Sequence, residues 1–130
     1  MSPLAPTELL LTLAEPTRLR IVNCLAAAPL FVSDLQAVLD LPQPTVSRHL
    51  TVLKKARLVR DTAIAQFVLY RLRPESGPPG RLLQAVLDAL GHDEKLRLER
   101  HRALDRSRNH GRGAGSGRLP PAPARGGAER

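Results

Sequence analysis

A single cysteine in 130 residues, Cys24, leaves no intrachain disulfide to form, which fits a reducing interior. No apolar run approaches the length that spans a bilayer. The start, Met1 to Pro6, has no basic segment, and the apolar stretch at Leu9, Leu10, Leu11 and Leu13 ends at Glu15-Pro16, so no secretory signal is expected. There is no glycine-rich phosphate loop, no paired-histidine hydrolase motif, and no Ser or Cys nucleophile beside a plausible base. These absences exclude the common enzyme classes and point to a cytoplasmic protein without a cofactor.

What the chain does have is positive charge, +8 with 20 Lys and Arg against 12 Asp and Glu, enough for a field that attracts polyanions. Residues 1–91 carry only +3, and residues 92–130 carry +5. At this length one domain with its own core is expected.

Hydrophobic spacing lays out the elements. Thr7 to Ala14 is a short apolar helix, and Pro16 restarts the chain in the first turn of a second, with Ile21, Val22, Leu25 and Ala28 at helical intervals up to Pro29. Ser33 is placed to cap a third helix carrying Leu35, Val38 and Leu39. After the turn Asp40-Leu41-Pro42, a fourth helix runs from Gln43 to Ala56, with Val46, Leu50 and Leu53 on one stripe and Ser47, Arg48, Thr51, Lys54 and Lys55 off it. Two short helices joined by a tight turn, the second with a polar and basic outer face, form a helix-turn-helix.

The period then shortens. Leu58 to Thr62 and Gln66 to Leu72 read as strands flanking Ala63-Ile64-Ala65, a two-stranded wing. Arg81 to Leu90 returns as an apolar helix ending at Gly91, and Asp93 to about Ser107 as a charged helix whose strong apolar positions are Leu96, Leu98 and Leu104. The expected fold is mainly α with a small β-hairpin, a winged helix-turn-helix over residues 1–91. A charged helical extension at 92–108 and a disordered basic tail at 109–130 follow.

Two separated segments resemble one family. Leu13-Ala14-Glu15-Pro16-Thr17-Arg18-Leu19-Arg20-Ile21 is similar to the opening signature of ArsR/SmtB repressors, and Gln43-Pro44-Thr45-Val46-Ser47-Arg48-His49-Leu50 to their recognition helix. Leu58-Val59-Arg60 and Leu69-Tyr70-Arg71-Leu72 follow in the same order and spacing. The resemblance implies a transcriptional repressor released from an operator by some signal. It also implies a homodimer formed by the first and last helices, here Leu9, Leu10, Leu13, Leu82, Leu83, Val86, Leu87 and Leu90. It places Gln43, Ser47 and Arg48 on double-stranded DNA. Arg48 has the fork that matches a guanine edge, while Thr51, Lys54, Lys55 and Arg60 are placed for phosphates. Thr45 and His49 complete the candidate set, although His49 falls beside the apolar stripe, where a packed histidine belongs.

The departures concern the sensor. Sensing members of that family carry Cys-x-Cys in the third helix, where this chain has Phe31 and Ser33, which offer no soft ligand. His92, His101 and Asp105, with Asp88 four residues before His92, are weak metal candidates, for which a solvated charged helix is the plain alternative. Cys24 is expected to be a buried structural thiol, with a redox sensor as the alternative if it is exposed. The wing tip lacks charge and glycine, and Pro42 removes a side-chain cap. The rival to a DNA-binding regulator is a degenerate winged helix kept as a dimerisation or protein-interaction module.

Overall fold

The computed structural model describes residues 4–73 and 76–114. The first helix, α1 (Pro6–Leu13), buries Leu9 and Leu13, one turn apart. In α2 (Pro16–Leu25), Pro16 occupies the first turn, and Glu15 Oε1 accepts the Arg18 backbone N–H at 3.0 Å, replacing one of the bonds a helix start lacks. A two-residue strand, β1 (Leu30–Phe31), leads into α3 (Val32–Leu39). Ser33 does not cap α3. The helix begins one residue earlier, Phe31 donates its backbone N–H to Asp34 Oδ2 at 2.9 Å, and Ser33 Oγ is buried without a partner among the described residues.

Asp40, in the left-handed region at φ 56°, ends α3 and turns the chain into α4 (Gln43–Lys55). Pro42 stands at the N-cap of α4 with no side-chain cap, as its lack of a polar group dictates. Its carbonyl accepts the Thr45 and Val46 N–H groups at 3.1 and 3.2 Å. At the other end, Arg57 (φ 65°) reverses the backbone and Leu58 N–H bonds the Leu53 carbonyl at 3.0 Å.

The strand β2 (Val59–Ile64) therefore leaves α4 after only a few residues and pairs antiparallel with β3 (Phe67–Leu72). The hairpin is longer and its turn tighter than the sequence suggests. Ile64 pairs with Phe67, leaving Ala65 and Gln66 as the loop, with Ala65 at φ 56°. An alanine there accepts a strain that glycine avoids. β1 pairs with β3 through Leu30↔Tyr70, so the sheet has three strands in the order β1-β3-β2 rather than two.

The helix α5 (Gly77–Leu90) starts four residues ahead of Arg81 and packs on α1. The last helix, α6 (Glu94–Ala114), is entered through Asp93, whose Oδ1 accepts the Leu96 N–H at 3.0 Å. It continues past residue 109, where composition predicts the start of disorder. The remainder of that tail, 115–130, lies outside the described residues. The core is one cluster in which Leu9, Ile21, Leu30, Leu35, Leu50, Leu53 and Leu58 have no exposed surface.

Against expectation, α6 is a packed element. It lies across α2 and α3, burying Glu99 and Ala103. Arg20 pairs with Glu99 at 2.6 Å, Arg100 Nη2 donates to Asn23 Oδ1 at 2.7 Å, and Arg106 Nε donates to the fully buried Asp34 at 2.8 Å. His110 also meets Asp34 and stands edge-on to Phe31 with ring centres 5.5 Å apart. Leu98, an apolar anchor by sequence, is instead half exposed on the outer side.

Candidate nucleic-acid interface

The inner stripe of α4, Val46, Leu50 and Leu53, is fully buried and fixes which side faces out. On the outer side Gln43, Arg48, Thr51, Lys54 and Lys55 are exposed, with Thr45 and Ser47 half-buried between them. Gln43 Nε2 donates to Ser47 Oγ at 2.6 Å, and Thr51 Oγ1 donates back to the Ser47 carbonyl at 3.0 Å, so these polar groups brace one another along the face. Arg48 has no side-chain partner among the described residues, which leaves its five donors available. Lys54 is not free in the same way, since its Nζ lies 3.1 Å from Asp61 Oδ2 on β2. That pair ties the outer helix to the wing. Arg60 is exposed at the base of the wing, and the wing's tip presents Ala63, Ala65 and Gln66.

His49 is placed differently from the other candidate DNA-contacting residues. It is 9% exposed, its Nδ1 lies 3.5 Å from Arg18 Nη1 and 3.9 Å from Glu15 Oε1, and it packs toward α2 rather than toward solvent. The Glu15 carboxyl is held below its ordinary range chiefly by the Arg18 backbone N–H, with smaller contributions from Thr17, His49 and Arg18 opposing desolvation.

The apolar set assigned to dimerisation divides in two. Leu9, Leu13, Leu83 and Leu87 are buried within the chain and have almost no surface left to offer a second subunit, because α1 and α5 already pack on each other. Leu10, at 49% exposure, and the half-buried Leu82, Val86 and Leu90 remain available. Leu11, absent from that set, is 68% exposed on the same short helix.

The sensor candidates do not converge. His101 Nε2 lies 3.8 Å from Asp105 Oδ2 on the exposed side of α6, His92 is exposed at its start, and no group of three or more potential ligands forms among the described residues. Cys24 is fully buried, and its thiol is pushed up to about 12, first by burial and then by the neighbouring Glu99 charge. A thiol in that state is not a nucleophile at neutral pH.

Residues 15–61, which run from the cap of α2 through α4 into the wing, match the model of the bacterial regulatory protein, arsR family. An arsenic resistance transcriptional regulator of Pseudomonas putida is 38% identical over 88 residues, covering 66% of this chain and 69% of that protein. The chain belongs to the ArsR family.

Other ArsR-family relatives agree. The HTH-type transcriptional repressor SmtB of Mycobacterium tuberculosis is 41% identical over 88 residues, or 68% of this chain and 62% of the relative. The arsenical resistance operon repressor of Escherichia coli is 44% identical over 75 residues, or 57% and 64%. The chain thus spans a little under two thirds of these two relatives. A crystal structure of a possible transcriptional regulator for arsenical resistance superimposes with a TM-score of 0.50 at 36% identity, covering 70% of this chain and 92% of that one.

At the N-terminus of α3, Phe31 and Ser33 bring no thiolate, and the Asp34 carboxylate is held by the Arg106 guanidinium.

Proposed function

We propose that this ArsR-family chain is a cytoplasmic homodimeric repressor that reads operator DNA with α4. The observation that carries the reading is Arg48, exposed and without a side-chain partner among the described residues, on a helix whose opposite stripe is anchored in the core. Ser47 and Gln43 flank it and Lys55 lies two turns on, an order suited to base edges first and phosphates after. The exposed Leu10 and Leu11 on α1, with the half-buried leucines of α5, supply the surface for a second copy.

Selection of bound duplexes from a random library, followed by competition titration, tests this reading. Enrichment of a two-fold symmetric site with a large preference over scrambled duplex is expected. Equal binding of all duplexes, or none, would favour the interaction-module alternative, for which the uncharged Ala63 and Ala65 at the wing tip are the specific support.

A further inference from the structure

Away from the outer face of α4, a groove of about 440 Å³ opens between the α2–β1 connection and the base of the wing. Its floor is Leu25 and the Ala26 to Pro29 segment, and its wall carries Arg60, Arg71 and Arg73. Arg60 and Arg71 are directly opposite one another across the β2–β3 ladder. Like charges in that register repel and destabilise a sheet. Arg71 Nε is buried without a hydrogen-bond partner, so it bears the desolvation cost of a donor with no acceptor to offset it. No carboxylate pairs with any of the three arginines among the described residues. Asp61, next to Arg60 in sequence, is held by Lys54.

The C-terminal end of α2, which borders the groove, offsets some of this positive charge. A helix end carries roughly half a negative charge, against three whole positive ones. The field in the groove therefore stays strongly positive.

We propose that this groove is an oxyanion site that takes a phosphoryl group between Arg60, Arg71 and Arg73. A tetrahedral dianion offers acceptors in several directions, so it can accept from the terminal guanidinium N–H groups of all three arginines together. It would offset the repulsion between Arg60 and Arg71 across the ladder. The inference does not require that α4 reads DNA, but it shares Arg60 with the candidate phosphate contacts of the DNA interface and otherwise rests on Arg71 and Arg73. The same chemistry comes from a free phosphorylated metabolite or from a backbone phosphate of DNA reaching the wing's base.

Calorimetric titration of the full chain with inorganic phosphate and with pyrophosphate tests the site. One saturable site per chain is expected, weakened at least about tenfold by Arg71→Gln, by Arg60→Gln and by Arg73→Gln, and unchanged by Arg81→Gln on α5. Where Arg71→Gln does not fold, the exposed Arg60 carries the same test. No saturable heat at millimolar anion, or equal binding by the groove variants, would overturn the proposal. Repeating the titration with saturating random-sequence duplex assigns the source. Loss of the phosphate site identifies DNA backbone as its occupant, and retention identifies a free anion.

Discussion

Arg20 Nη2 and Glu99 Oε2, 79 residues apart in sequence, lie 2.6 Å apart where α6 crosses α2. Glu99 is almost wholly buried, and Arg20 keeps about a quarter of its side chain in solvent and bonds the Leu39 carbonyl as well. The guanidinium is held still more firmly in its charged form, first by the bond to Glu99 and against desolvation. Removing one member of such a pair strands the other. Glu99→Ala should cost about 2 kcal/mol, less than a fully buried pair because Arg20 can turn to water. Urea denaturation at neutral pH measures it, and a loss below about 0.5 kcal/mol would show the pair to be idle.

Asp34 sharpens the same question, because it has no exposed surface and holds the start of α3, Arg106 and His110 at once. A chain ending at residue 108 loses His110 but keeps Arg106, so the carboxylate stays paired. That truncation should fold with a loss of about 1 kcal/mol. Arg106→Ala in the same truncated chain leaves a buried charge unmatched and should cost about 3 kcal/mol more. Equal stability of the two truncated proteins would contradict this ordering.

Cys24 gives a pH dependence with a definite sign. Its folded pKa of about 12 exceeds the ordinary value of 9.0, so the folded chain keeps its proton where the unfolded chain has lost it. The contribution is fully present below about pH 9 and is lost as pH rises toward 12. Cys24→Ser should flatten that alkaline decline, measured by denaturant titration at a series of pH values. Iodoacetamide should label the native thiol only as fast as the protein opens. Rapid labelling of the native protein at about neutral pH would show an exposed thiol.

On the outer helix, Arg48→Ala should reduce the preference for a selected operator by about 1–3 kcal/mol while leaving most nonspecific affinity. Lys55→Ala should weaken all duplexes alike and lower the salt slope by up to roughly one unit. Lys54→Ala should weaken binding further than Lys55→Ala, because it also releases the Asp61 carboxylate beside the wing. Competition titrations at two salt concentrations separate the three. A full specificity ratio in Arg48→Ala would move recognition to Gln43 and Ser47.

The helices of the first 91 residues were legible because each carries its apolar residues at regular intervals and is bounded by proline or a cap. The third strand was not, since two residues carry no period and β1 exists only because β3 is there to pair with it. The packed face of α6 escaped for a different reason. Its buried stripe consists of Glu99, Ala103 and the arginine and histidine stems beside them, which in sequence look like a solvated surface. Hydrophobic spacing cannot reveal a helix that docks through hydrogen bonds. The same blindness explains why Arg71 and Arg73 pass in sequence as ordinary surface charges.

The seam between α6 and the two helices beneath it also sets an order of events. Arg20, Asn23 and Asp34 are each matched by a group 72 to 79 positions later, whereas the helix-turn-helix and the wing close over short stretches of chain. Distant contacts form late, because the loop between them must close first. As the chain leaves the ribosome, the helix-turn-helix and wing can assemble while Asp34 and Asn23 still face water. Their partners emerge afterwards, so synthesis of α6 is the step that removes these groups from solvent.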